Sequence, residues 1–293
     1  MIEEIKFFID ICINSLPIGS VYCLLALGFV LILKATRMLN LCQGEMMMLG
    51  AYITYGFLQM KWPFAVAILA SLVLNAAVAF VAERFILRKV INEPPFVLLM
   101  VTVGIGTLIV GLTGILWGVD QKILEISNFN KTVNLPGFRM TYGKVSIILL
   151  SLVFITILEL FFKLSRRGMA MRATASNWSA SMLMGVNIGN VFSASWILAS
   201  ILAVFPGIFL AKSIILEPGI SVYGYVGLSA LVLGGMDSIL GTIVGGFTIG
   251  IVEGLAAIYI GGQAKHLAGF IVLFLVLMVR PTGLFGTKKV ERV

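Results

Sequence analysis

Charge is the scarcest commodity in this sequence. Asp, Glu, Lys and Arg make up 12% of its 293 residues, against about 25% in an ordinary soluble domain. So few charges cannot build a water-facing surface. That excludes a soluble globular enzyme, a disordered chain and a nucleic-acid binder. Histidine is almost missing: His266 is the single one. No multi-histidine metal site can form, and His266 reads as an interfacial residue at the start of the last apolar run. Cys12, Cys23 and Cys42 fit neither a zinc pattern nor a disulfide framework, so they read as small buried hydrophobes. No Walker A motif, G-x-S-x-G or H-E-x-x-H occurs. Neither covalent chemistry nor a cofactor is expected of this chain. The first ten residues lack a basic n-region, and no A-x-A-like cleavage site follows, so the first helix is expected to be retained.

What is present is apolar. Hydrophobic residues make up 60% of the chain, and mean hydropathy is +1.08. Long unbroken apolar runs favour helices over the period-two strands of a barrel. The expected fold is an all-α integral membrane protein, a polytopic bundle of about 8–9 helices. The candidate spans are Ile11–Leu33, Gly44–Met60, Pro63–Glu83, Pro95–Trp117, Val145–Phe162, Val191–Ala211, Val222–Met236, Ile239–Ile260 and Leu267–Val279. Pro63 and Pro95 suit helix starts, and Pro281 suits a stop. Pro17 and Pro206 fall inside spans and should kink them.

Lys and Arg placement gives an orientation. With the N-terminus outside, Lys34 and Arg37, then Arg84, Arg88 and Lys89, then Lys163, Arg166, Arg167 and Arg172 fall in inner loops. Arg280, Lys288, Lys289 and Arg292 then form a cytoplasmic tail. The outer set is smaller and diluted by a long loop, Gly118–Lys144. The expected topology is N-terminus outside, C-terminus cytoplasmic.

The first and sixth spans each hold one proline and precede a short span rich in small residues, then a long apolar one. An offset of five helices reverses direction, so two related halves would form an inverted repeat with a pathway at their interface. Chance likeness between apolar helices is the competing explanation.

Intramembrane carboxylates are costly. Glu45 lies in the first turn of its helix, where the macrodipole favours it. Glu159 can reach the interface. Glu253 lies deeper, must face protein or a cavity, and has no cationic mate in the sequence pattern. A structural role and a pathway role weigh equally for it. Gly241, Gly245, Gly246, Gly250 and Gly254 form overlapping G-x-x-x-G steps, which predict close helix packing.

The stretch richest in information is the inner loop from Lys163 to Asn190. Four basic residues open it, and good helix formers follow from Ala170 to Met184. Gly185 is placed to end that helix as a C′ residue. A partly apolar helix on the cytoplasmic face must cover its apolar side with lipid or a protein groove. Arg172 is its last basic residue, which favours the groove.

Gly168-Met169-Ala170-Met171-Arg172-Ala173-Thr174-Ala175-Ser176-Asn177, then Ala180 and Met184-Gly185-Val186, resembles the cytoplasmic loop of branched-chain amino acid ABC transporter permeases of the LivH type. Gly19-Ser20-Val21-Tyr22 with Ala26-Leu27-Gly28 resembles the first span of that family. Leu39-Asn40-Leu41-Cys42-Gln43-Gly44-Glu45 and Leu49-Gly50-Ala51-Tyr52 resemble its N-x-x-x-G-E and G-A/S-Y elements. Leu233 to Ile239, the glycine run and Glu253 resemble its C-terminal half, and Arg280 to Gly286 its usual ending. The likeness runs nearly end to end. Gln43 departs from the His of many relatives, and Asp237 from a small residue. Gln43 either meets the solute or caps its helix.

The resemblance implies one permease domain over residues 1–293, in a prokaryotic inner membrane surrounded by lipid. It implies partnership with a second permease subunit, two cytoplasmic ATPase subunits that bind ATP and Mg, and an extracytoplasmic solute-binding protein. Residues 163–190 would carry the coupling helix, with Arg172, Ala173, Ala175, Asn177, Ala180 and Gly185 meeting an ATPase. A translocation path is expected near Asn40, Gln43, Glu45, Thr102 and Glu253. Branched-chain amino acids are the implied solutes; urea, amides and other small solutes are alternatives. An ion-coupled secondary carrier is the rival class, and it calls for a paired intramembrane charge.

Overall fold

The structure, a computed structural model, describes residues 2–91, 93–126, 129–135 and 138–286. Lys288, Lys289 and Arg292, used above to orient the tail, lie outside the described residues. The chain is mostly helical. In order come α1 (Ile2–Thr36), α2 (Gln43–Gln59), α3 (Phe64–Phe85), α4 (Pro95–Trp117), α5 (Tyr142–Leu164), α6 (Arg166–Ser176), α7 (Trp178–Leu183), α8 (Ile188–Ser213), α9 (Tyr223–Gly234), α10 (Ile239–Tyr259) and α11 (Lys265–Val279). Pro63 caps α3 and Pro95 opens α4, while Pro17 and Pro206 lie inside α1 and α8. The long loop is not wholly irregular. Strands β1 (Thr132–Leu135) and β2 (Phe138–Thr141) pair antiparallel within it, so the all-α expectation needs this one correction. Alternation over four residues is too short a signal to stand out beside the apolar runs.

Among the described residues, six stretches are long and apolar enough to cross a membrane: Glu3–Thr36, Phe64–Lys89, Phe96–Trp117, Tyr142–Leu164, Ile188–Ser213 and Ile239–Tyr259. The other three expected spans fall on α2, α9 and α11, which have 17, 12 and 15 residues. Large apolar side chains stay exposed on five of the six, all but Ile188–Ser213, among them Leu69, Val73, Leu108, Leu112, Leu149 and Leu152. In water such faces would drive association; in a bilayer they match the solvent.

The Cα framework divides into two compact units. One comprises residues 1–30, 127–153 and 226–293. Its organising element is α10, whose glycines form two stripes rather than one. Gly246 is packed against Cys23, Gly250 against Gly19 and Gly254 against Ser15, all on α1. Gly241 and Gly245 instead meet the backbone of Gly234 and Ala230 on α9. The one-residue step from Gly245 to Gly246 rotates the pattern by about 100° on a 3.6-residue helix, so α10 packs closely on two neighbours. The segment after α11 folds back onto α9: Leu284 N donates to Leu233 O, and Phe285 N to Gly234 O.

The other unit comprises residues 31–126 and 154–225. Its centre is α2, which packs against α3, α4 and α8. Residues Gln43 to Thr54 of α2 are buried without a break, so α2 is surrounded by protein all round. Small residues bring the helices together. A Cβ at Gly207 of α8 would strike the Met47 carbonyl, and Gly44 and Gly224 leave no room for one at either position.

Candidate functional site

The start of α2 gathers four of the five residues expected on the path. Asn40 Oδ1 accepts from Cys42 N at 3.0 Å, and Asn40 Nδ2 donates to Gln43 Oε1 at 3.4 Å. Gln43 Nε2 donates to Ala199 O of α8 at 2.9 Å. Leu41 N donates to Thr102 Oγ1 of α4 at 3.2 Å, and that hydroxyl donates to Leu99 O. The side chain of Cys42, the N-cap residue, makes no capping bond to α2. Gln43, the first helical residue, is fully buried and holds α2 to α8 instead of capping its own helix.

Glu45 is 8% exposed, and its Oε2 has no hydrogen-bond partner among the described residues. The absent side chain of Gly106 makes its room: a Cβ there would lie 3.1 Å from Glu45 Cδ. Tyr52 Oη and Asn75 Oδ1 are likewise buried and unsatisfied. Unpaired buried polar atoms are rare and costly. Three such atoms among the described residues, two on α2 and one on α3, lie in one unit and make the surroundings of α2 the candidate site.

Asn75 and Ser71 of α3 were missed from sequence. Asn75 Nδ2 donates to Met46 O at 3.1 Å and to Ser200 O at 2.9 Å, joining α2 to α8. Ser71 Oγ donates to Gly50 O at 2.7 Å. The available signal was an uncharged amide inside an apolar run; attention to carboxylates passed over it.

Glu253, the fifth path residue, belongs to the other unit. It is 3% exposed, accepts from the Tyr22 hydroxyl, and lies 2.7 Å from His266 Nδ1. The sequence reading gave it no cationic mate; the structure gives it an imidazole partner from the next helix, thirteen residues on. Glu159 also has a partner, since Lys163 Nζ lies 2.6 Å from its Oε1, one helical turn away. Among the described residues, no three His, Cys, Asp or Glu side chains come together as a metal site would require.

The expected cytoplasmic helix from Ala170 to Gly185 is two helices. Asn177 takes an extended conformation between α6 and α7, and its Oδ1 accepts from Ala180 N at 3.0 Å. An Asn side chain that competes for backbone donors favours a new N-cap over a continued helix. Gly185 does end the segment. Its φ is 81°, Val186 N donates to Ser181 O, and Gly185 N to Met182 O, the pairing of a Schellman stop. Arg172, Ala173, Asn177, Ala180 and Gly185 are exposed, and Ala175 is half-buried. Leu183 and Met184 at the tip of α7 are 88% and 85% exposed.

Comparison with known proteins bears on the whole chain. A family model described as branched-chain amino acid transport system, permease component, matches residues 11–279. The high-affinity branched-chain amino acid transport permease BraD of Pseudomonas aeruginosa is 28% identical, over 99% of each chain. The corresponding LivH of Escherichia coli is 27% identical over 100% of both. A probable LivH of Methanocaldococcus jannaschii is 26% identical over 94% of this chain and 92% of its own. Among solved structures, PsaBC from Streptococcus pneumoniae in complex with Fab shares the fold, with a TM-score of 0.56 at 12% identity, covering 97% of this chain and 98% of its own. A buried, polar-started helix packed among apolar spans and an end-to-end family match agree, and the chain belongs to the branched-chain amino acid transport permeases.

Proposed function

We propose that this chain is the transmembrane permease subunit of an ATP-driven importer for branched-chain amino acids. The observation that carries the reading is the family match across nearly the whole length. In this reading residues 1–293 form one permease domain in the inner membrane. It crosses with eight or nine helices, α2, α9 and α11 joining the six longer ones, and its halves are related as an inverted repeat. The N-terminus is outside and the C-terminus cytoplasmic.

A second permease subunit completes the translocation path. An extracytoplasmic binding protein delivers solute, and two ATPase subunits hold ATP and Mg. The α6–α7 segment of the 163–190 loop is the lever that an ATPase moves. Its exposed Leu183 and Met184 favour a protein groove as its seat, and the Asn177 break lets α7 tilt on α6. Each partner shifts the gate only by its differential affinity for the two states. Asn40, Gln43, Glu45 and Thr102 line the path at the start of α2. Glu253 belongs to it as well, or else locks α10 to α1 and α11.

Buried carboxylates with basic partners, Glu83 with Arg88 and Glu253 with His266, are the features that favour an ion-coupled carrier over the importer. Purification from the native membrane, followed by identification of the companion chains, separates the two. Co-purifying ATPase and binding protein support the importer. A chain that transports branched-chain amino acids without either contradicts it.

A further inference from the structure

A cavity of about 260 Å³ lies in the second unit, where the end of α1, the entry to α4 and the last turn of α6 come together. Its polar lining includes Arg37, Glu93 and Ser176; its apolar wall includes Ile91, Leu98 and Phe192. Arg37 holds a left-handed backbone, φ 57°, immediately after α1. One of its amino groups donates to Ser176 O, the terminal residue of α6, at 3.1 Å. A guanidinium has five N–H donors in a flat fork, so most remain for a planar two-oxygen acceptor. The Glu93 carboxylate, on the same cavity, is exposed and forms no ion pair within the described residues.

An exposed cation held by one hydrogen bond, an exposed anion and an apolar wall around a small volume select a ligand class. An inorganic anion would satisfy Arg37 and be repelled by Glu93. An apolar solute would make use of neither charge. A zwitterionic amino acid with an aliphatic side chain answers all three features. Its carboxylate pairs with Arg37, its ammonium with Glu93, and its side chain meets Ile91, Leu98 and Phe192. The volume is close to the lower end of small-molecule sites, about 300 Å³.

We propose that this cavity binds the imported branched-chain amino acid from the cytoplasmic side and that its occupancy brakes the transporter. The inference rests on the importer reading above and deepens it. Arg37 ties the end of α1 to the end of α6, and an amino acid bound to Arg37 and Glu93 fastens α6 further. A fastened lever responds less to the ATPase. Rising internal product therefore slows ATP hydrolysis.

The test is a leucine titration of ATP hydrolysis by the complete complex, with binding protein present, in nanodiscs that expose both faces. Low leucine loads the binding protein and stimulates hydrolysis; higher leucine then inhibits it. Each variant is scored against its own stimulated maximum. In Glu93→Gln the leucine concentration for half-inhibition rises about tenfold, as expected for a lost charged hydrogen bond. Ile91→Trp, which fills the cavity and leaves both charges, abolishes the inhibitory phase. Stimulation without inhibition in the wild type overturns the brake and leaves the importer standing. Inhibition unchanged in both variants places any brake elsewhere and overturns the site. No stimulation by leucine-loaded binding protein overturns the importer reading and the brake with it.

Discussion

His266 and Glu253 stand on different helices, α11 and α10, with Nδ1 and Oε1 2.7 Å apart. The Glu253 carboxylate also accepts from Tyr22 of α1. One buried acid thus joins three helices of its unit. The glycine stripe that brings α10 against α1 places the Tyr22 hydroxyl within reach.

Removal of a partner leaves a buried acid under-satisfied, whereas neutralising the acid does not. His266→Ala is expected to lower stability by about 1–2 kcal/mol, the lower part of the range because His266 is partly exposed. Glu253→Gln, which keeps an acceptor for Tyr22, is expected to cost less. Thermal unfolding of the purified variants in detergent checks the order.

Arg88 makes a test of the same principle in the other unit. Its guanidinium lies 3.1 Å from each Glu83 carboxylate oxygen and donates to Gly189 O at 2.7 Å and Ser193 Oγ at 2.8 Å. Glu83 is 2% exposed. Arg88→Gln leaves that acid with the Ser193 hydroxyl alone as a partner among the described residues and is expected to cost about 3 kcal/mol. The double variant Glu83→Gln/Arg88→Gln should recover part of the loss, and a double-mutant cycle on unfolding midpoints measures the coupling.

The glycines divide sharply by environment. A Cβ at Gly250 would lie 2.5 Å from Gly19 Cα, while one at Gly111 of α4 meets nothing within 4 Å. Gly250→Leu is expected to prevent stable assembly, seen as loss of monodisperse protein on extraction. Gly111→Ala should be neutral or stabilising by up to about 1 kcal/mol.

Asn177 begins α7 and separates it from α6. Asn177→Ala removes the cap and should weaken α7 by about 1 kcal/mol. Ala175→Pro, inside α6, should uncouple ATP hydrolysis from uptake while insertion stays normal. Parallel assays of hydrolysis and solute accumulation read this out; wild-type coupling in Ala175→Pro counts against the lever.

What the sequence made legible follows from what kind of interaction was involved. Long apolar runs and their prolines report local physics, and α3, α4, α8 and α10 fall close to their expected ranges. The α2 cluster was anticipated because Asn40, Gln43 and Glu45 lie within a few residues, and only Thr102 had to be supplied by another helix. Glu253 with His266 was not, because nothing local relates position 253 to 266 across a turn. The same holds for Asn75, whose two carbonyl partners belong to α2 and α8. The Asn177 break was hidden by strong helix formers on both sides: propensity rises through Ala173, Ala175 and Ala180, while one capping side chain redirects the backbone. The two faces of the α10 glycines needed the neighbours α1 and α9 to become visible.

The central claim is that energy reaches this permease from partner ATPases. It is tested most directly by measuring leucine accumulation in proteoliposomes. The account predicts uphill accumulation only when permease pair, ATPases, binding protein and ATP are all present. Accumulation by this chain alone, driven by an ion gradient without ATP, would contradict it.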